Sequence, residues 1–228
     1  MERNYGKLYI VSTPIGNMKD ITFRAVEVLK QVSLIAAEDT RRAKKLLAHY
    51  KITTSLISYF DHNKISRADF LLRRLKEGKD VALISDAGTP IISDPGFYLA
   101  ELAIKEGIDL IPIPGACALL SALVVSGAPP DRFVFEGYLP RKSKKRERRL
   151  EMIAREERTV ILYEAPHRLL RTLEDLLRFL GDRKIALCRE LTKRFEEVRR
   201  EEISKLIEDL ADKKVRGELV LVISGKEE

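Results

Sequence analysis

The chain has 228 residues, 45% hydrophobic and 34% charged, with a formal net charge of +7. That balance suits one large or two small folded cores and excludes the weakly hydrophobic disordered class. No apolar run reaches the roughly 18 residues of a membrane span, the N-terminus lacks the order of a signal peptide, and the two cysteines match no zinc spacing, so a cytoplasmic protein with no membrane contact and no structural metal is expected.

The first element is a strand-length apolar run at Leu8–Val11, followed by a helix over residues 21–30 with Asp20 placed to cap it. A second apolar strand is expected at Leu34–Ala37, a helix over 41–49, a weaker strand over 55–59, and a helix over 68–76 closed by Gly78. Val81–Ile84 is the third clear strand. It leads to a helix over 95–105, with Asp94 in the N-cap position, Pro95 at the first helical position and Gly107 beyond the end. Leu110–Ile113 completes this half. The runs are apolar almost throughout, as in a sheet covered on both faces. Strand–helix alternation predicts an α/β domain with a mostly parallel sheet.

After Pro114 the pattern changes, and a domain boundary is expected near 112–115, giving domains 1–114 and 115–228. The second half reads as an apolar helix over 116–125, a Gly/Pro turn cluster, and a strand at Phe133–Tyr138. A basic tract over 141–149 then runs into a helix ending near Glu156. Strands over 159–163, 184–187 and 218–224, with helices at Leu169–Leu180 and over 203–212, predict a second α/β domain with a mixed sheet.

Loops leaving the carboxyl ends of parallel strands are where open α/β sheets bind ligands. Three such segments stand out. Ser12-Thr13-Pro14-Ile15-Gly16-Asn17 follows the first strand, and taken alone it reads equally as a plain turn. The segment from Ser85 to Gly96 is the densest cluster of Gly, Pro and carboxylates; Asp94 reads as a helix cap, whereas Asp86 has no capping role and is the functional candidate. Pro114-Gly115-Ala116-Cys117-Ala118 opens a helix with small residues, which suits ligand contact by backbone N–H groups and tight packing alike. Charged clusters leave other strands at Glu38-Asp39-Thr40-Arg41-Arg42, Tyr163-Glu164-Ala165-Pro166-His167-Arg168 and Arg189-Glu190-Leu191-Thr192-Lys193. These are either solvated loops or forks for phosphate. His49, His62 and His167 are not spaced as metal ligands, and there is no GxGxxG, Walker loop or Gly-x-Ser-x-Gly elbow.

Taken in order, STPIGN, AAEDTRR, ISDAGTPIISDPG, IPGACALLSAL, YEAPHR and CRELTK resemble the small-subunit ribosomal RNA methyltransferase branch of the tetrapyrrole methylase superfamily. The resemblance runs from Leu8 to Ser224. It implies two α/β domains with S-adenosylmethionine in an interdomain cleft. It further implies 2′-O-methylation of a cytidine ribose in the decoding region of small-subunit rRNA, usually by a homodimer. Cofactor contacts carried over by the resemblance fall on Pro14, Asp86, Gly88, Ala116, Cys117, Tyr163 and Glu164, with Leu191, Glu218 and Leu219 on the adenine side. The glycine-rich VGxGPGD loop of tetrapyrrole-modifying members is replaced by STPIGN, which speaks against a porphyrinoid substrate. The sequence also ends soon after its last expected strand, where many members of that branch continue.

A ribose hydroxyl is a poor nucleophile, so a nearby carboxylate or His must take its proton; Glu38, Asp39, Glu164 and His167 are the candidates. Arg41, Arg168, Arg189 and Lys193 are candidates for phosphate contacts. Arg141, Lys142, Lys144 and Lys145 would add a mobile electrostatic strip. Two other readings stay open: a superfamily enzyme acting on a small molecule such as a tetrapyrrole, and a non-enzymatic RNA-binding assembly protein. The first would not need the basic strip, and the second leaves the strand-end loops unexplained.

Overall fold

The computed structural model describes residues 4–226. Their contacts divide the chain into two compact units, one up to Cys117 and one from Ala118.

The first unit contains β1 (Leu8–Val11), α1 (Phe23–Gln31), β2 (Leu34–Ala37), α2 (Thr40–His49), β3 (Leu56–Ser58), α3 (Lys64–Lys76), β4 (Val81–Ile84), α4 (Phe97–Lys105) and β5 (Leu110–Ile113). Its five strands form one parallel sheet in the order β3-β2-β4-β1-β5. β2 and β4 lie inside the sheet and are buried at every residue, which is why LIAA and VALI carry no polar side chain. Alternation along the strands supplies two cores. Leu8, Ala36, Val81 and Leu83 pack with Leu71, Leu75, Leu99 and Ala103 of α3 and α4. Val11, Ile35, Ala37, Ala82 and Ile84 pack with Ala25, Leu29, Ala43 and Leu47 of α1 and α2.

Two expected caps are displaced. Asp20 ends a short 3-10 turn, Met18–Asp20, and α1 starts later, capped by the Thr22 hydroxyl accepting from Ala25 N at 3.1 Å. Asp94 does not cap α4 either. That helix begins at Phe97 after Gly96, whose φ of 142° only glycine adopts readily and whose added Cβ would meet Leu83 Cδ2 at 2.7 Å. The backbone turns at Gly96, and Asp94 is left behind in the loop.

The second unit contains α5 (Ala118–Ser126), β6 (Phe133–Tyr138), α6 (Ser143–Ala154), β7 (Thr159–Glu164), α7 (Leu169–Leu180), β8 (Lys184–Arg189), β9 (Glu197–Glu202), α8 (Ile203–Leu210) and β10 (Leu219–Ile223). The sheet order is β6-β7-β10-β8-β9; β6 and β7 run parallel and the other pairs antiparallel. One face, with Leu162, Leu187, Leu219 and Leu221, packs under α6, α7 and α8 through Leu150, Leu173 and Leu206. α5 packs against β7, β8 and β10. β9 was not foreseen: EVRREE is a charged edge strand, held by β8 and by Arg199 paired with Glu201 and Asp209. The basic tract is not a mobile strip. From Ser143 onward it is helical, and Arg146 within it is buried.

Candidate active site

Because β2, β4, β1 and β5 are neighbours in a parallel sheet, the loops that follow them emerge along one sheet edge. They are joined to one another there. Thr13 N donates to Gly88 O at 2.9 Å and Gly88 N to Thr13 O at 3.0 Å, an isolated antiparallel bridge. The Ser12 and Thr89 hydroxyls lie 3.0 Å apart, and Thr89 Oγ1 donates onward to Ala116 O at 3.3 Å. Thr13 Oγ1 donates to Ser85 O at 3.3 Å. The loops of Pro14, Gly88 and Ala116, three of the expected cofactor positions, are thus brought together within one unit.

Glycine is needed at this edge for close approach. A Cβ on Gly115 would stand 2.9 Å from Ser12 Cβ, and Gly88 has φ 78°. Ile91 and Ser93 also take positive φ, 77° and 64°, in the same β4 loop. Such strain in side-chain-bearing residues gathers where a loop is fixed for function.

Carboxylates from two of the loops face one another. Asp86 Oδ1 accepts the Asp39 backbone N–H at 3.0 Å, and Asp86 Oδ2 pairs with Arg42 at 3.2 Å. Asp86 therefore does have a structural role: it holds the loop after β2. Glu38 is pushed up by partial burial, then by Asp94 and Asp86. Asp94 is pushed up to about 6 by burial, reinforced by Asp86 and opposed by a hydrogen bond with Ser85. Asp39 differs. It caps α2 by accepting Arg41 N at 2.8 Å and is gripped by the Arg41 guanidinium, also at 2.8 Å, which holds its carboxyl well below the usual range. A carboxylate held so acidic is a weak base, so Asp39 is a cap rather than a proton acceptor.

In the second unit, antiparallel register aligns Leu219 with both Glu164 and Arg189, so Tyr163, Glu164, Glu218 and Leu219 share one sheet end. Leu191 is buried between Glu190 and Thr192, which take φ 51° and 67°. Glu164 is fully engaged: its oxygens accept from Thr172 Oγ1 at 2.6 Å and Ala165 N at 2.8 Å, and Arg168 Nε lies 3.2 Å away. It orders the turn after β7, and its side chain is buried away from where a ribose could approach.

Several cations expected on phosphate already hold protein partners. Arg168 donates to Leu139 O at 2.6 Å, Arg189 pairs with Glu197 at 2.8 Å, and Lys193 bridges Glu190 and Glu218, each at 2.9 Å. Arg41 is forked onto Asp39. By contrast Arg141, Lys142, Lys144 and Lys145 are exposed and form no ion pair among the described residues. Sequence reasoning missed the bridging hydroxyls of Ser12, Thr13 and Thr89, whose only signal was their position after strands. His167 sits, exposed, on a groove in the second unit. Cys117 and Cys188 form no disulfide, and the described residues hold no His/Cys/Asp/Glu cluster fit for a metal. No helix among them is long and apolar enough to cross a membrane.

A parallel sheet joined to a mixed one, with loops bound together at strand ends, defines a class. Residues 7–207 match the model of the tetrapyrrole (corrin/porphyrin) methylases, and the chain belongs to that family. Within it, a Synechocystis protein named ribosomal RNA small subunit methyltransferase I is 53% identical over 96% of this chain and 79% of its own length. A Thermotoga maritima protein of the same name is 49% identical over 97% of this chain and 100% of its own length. Among solved structures, uroporphyrin-III C-methyl transferase from Thermus thermophilus, complexed with S-adenosyl homocysteine, superposes with TM-score 0.67 at 19% identity, covering 96% of this chain and 97% of that one. At that identity the likeness concerns the fold.

Proposed function

We propose that the chain is an S-adenosylmethionine-dependent methyltransferase of small-subunit ribosomal RNA, and that its acceptor is the 2′-hydroxyl of a cytidine in the decoding region. The observation that carries the reading is 53% identity, along 96% of the chain, to a relative named for that RNA. The working form proposed is a cytoplasmic homodimer acting on rRNA within the ribosomal subunit.

The loops of the first unit suit such a methyl donor. Gly88 and Gly115 leave backbone bare at the strand ends, and the carboxylates of Asp86 and Asp94 complement a positively charged sulfonium. We assign Pro14, Asp86, Gly88, Ala116 and Cys117 to the cofactor from the first unit, and Tyr163, Leu191, Glu218 and Leu219 from the second, with Glu164 holding the β7 turn in place. When bound, S-adenosylmethionine supplies an electrophilic methyl carbon whose bond to sulfur breaks as the ribose oxygen attacks.

The protein's own work is positioning and proton transfer. Of the four candidate bases, Glu38 alone combines partial exposure, a raised proton affinity and no fixed cation on its carboxyl. Glu38 accepts the 2′-hydroxyl proton as the oxygen–carbon bond forms. His167 belongs with RNA contact instead, since it lies among arginines.

The test combines calorimetry with chemical mapping. Wild-type protein should bind S-adenosylmethionine and leave one cytidine of the small subunit resistant to alkaline cleavage on its 3′ side, because a 2′-O-methyl group blocks attack by that oxygen. Glu38→Gln should keep cofactor affinity and lose most of the rate. Methylation on a base rather than the ribose would overturn the assignment of the acceptor.

A further inference from the structure

The second unit contains a groove lined by none of the residues assigned to the cofactor. It has a volume of about 290 Å³ and is lined by Arg141, Arg146, His167, Arg168, Arg171 and Thr172. That volume stands near the lower limit of small-molecule pockets, about 300 Å³. No carboxylate lines it.

Its construction has two layers. Arg146, with a side chain only 5% exposed, is anchored by Asp175 at 2.6 Å and by Thr172 Oγ1 at 2.9 Å. Arg168 is anchored by Glu164 at 3.2 Å and Leu139 O at 2.6 Å. These two guanidiniums form the wall, and Asp175 and Glu164 balance their charge from behind. Arg141 and Arg171 are exposed and pair with no carboxylate among the described residues, so two net positive charges and the His167 ring point at open space. The lining residues also sit at the start of α6 and α7. α6 has neither a side-chain cap nor an acidic residue in its first turn. An uncapped helix start favours anions, and here it adds to the arginines. A wall of anchored guanidiniums with two exposed ones at the rim is the chemistry that grips a phosphate by bidentate forks.

We propose that this groove takes a backbone phosphate of the RNA substrate, with Arg141 and Arg171 as its gripping residues and Arg146 and Arg168 as positioning residues. The proposal rests on the RNA-methyltransferase reading and adds where the strand is held. A phosphate contact of this kind anchors the RNA without reading sequence.

The test replaces Arg141 and Arg171 together by Gln and compares this variant with Lys213→Gln/Lys214→Gln, an equal charge change on exposed residues elsewhere in the unit. The measurement is the affinity for a short single-stranded RNA across a salt series, with titration by inorganic phosphate followed through arginine Nε–H resonances. Each lost phosphate contact lowers the slope of log K against log salt by about 0.7. The arginine variant should bind RNA about tenfold more weakly, with a slope shallower by about 0.7, and should lose the phosphate-induced shifts. S-adenosylmethionine affinity and the melting temperature should stay at wild-type values. Equal weakening by the two variants would overturn the proposal, because only net charge would matter. Loss of phosphate shifts with RNA affinity unmoved would also overturn it, leaving a site for free anions. If wild-type protein methylates no ribosomal RNA yet RNA grip still depends on Arg141 and Arg171, the activity reading falls and the groove assignment stands.

Discussion

The carboxylate of Asp86 accepts the backbone N–H of Asp39 at 3.0 Å, joining the loop after β4 to the loop after β2. Its other oxygen pairs with Arg42 at 3.2 Å. One side chain thereby fixes the segment on which Glu38 stands, and its charge raises the proton affinity of that residue. Asp86→Ala removes a charge-assisted bond of a type that contributes about 1.5–3 kcal/mol. It should lower unfolding stability by roughly 1–2 kcal/mol, since the Arg42 half is solvent-screened, and S-adenosylmethionine affinity by about tenfold. Calorimetry with a parallel urea titration separates the two effects. Unchanged cofactor affinity would remove Asp86 from the site.

Asp94 gives the fold an unusual pH response. Burial, then Asp86, pushes its carboxyl up to about 6 from 3.8. Between those values the folded chain keeps a proton that the unfolded chain has released. Stability from this group is therefore greatest below about pH 4, falls as pH rises toward about 6, and then levels. Glu38 acts in the same direction. Asp94→Asn should raise the urea midpoint at pH 7 and flatten the difference between pH 4 and pH 7. A variant with the wild-type pH slope would contradict the assignment.

Gly115 is fixed by contact. Its added Cβ would lie 2.9 Å from Ser12 Cβ, and both residues belong to loops locked by the Thr89 bridge. Gly115→Ala should cost about 1–3 kcal/mol in denaturant unfolding, the usual range for overpacking. Combining it with Ser12→Gly should recover part of that loss.

Arg146 and Asp175 form a largely buried ion pair at 2.6 Å. Removing one partner of such a pair costs about 3–5 kcal/mol, whereas replacing both by apolar side chains is far milder. Arg146→Met should destabilise by about 3 kcal/mol, toward the low end because Asp175 keeps some solvent contact. Arg146→Met with Asp175→Leu should be more stable than the single variant, as measured by chemical denaturation.

Period and apolar content made the parallel half legible. β1, β2, β4 and β5 have no choice but to be strands, since LYIV, LIAA, VALI and LIPI are too short and too apolar for surface helices. The edge strand β9 was hidden because EVRREE is held by its ladder with β8 and by ion pairs of Glu197 with Arg189 and of Arg199 with Asp209, rather than by burial. The basic tract looked like a solvated strip because a buried Arg146 and an exposed Lys145 read alike; what distinguishes them are Thr172 and Asp175, on a helix 26 and 29 residues away. The same holds for the site. Gly, Pro and Asp density marked the loops after β1, β4 and β5, but the role of Asp86 depends on a backbone N–H 47 residues distant, which no local pattern reports. Arg171 was invisible for a similar reason, being one arginine on an amphipathic helix until the fold sets it beside Arg141.

The most direct test is transfer of labelled methyl groups from S-adenosylmethionine, offered in parallel to small ribosomal subunits lacking their native modifications and to a free tetrapyrrole. Label incorporated into small-subunit RNA, and none into the tetrapyrrole, is the predicted result. Label in the tetrapyrrole alone would contradict the account.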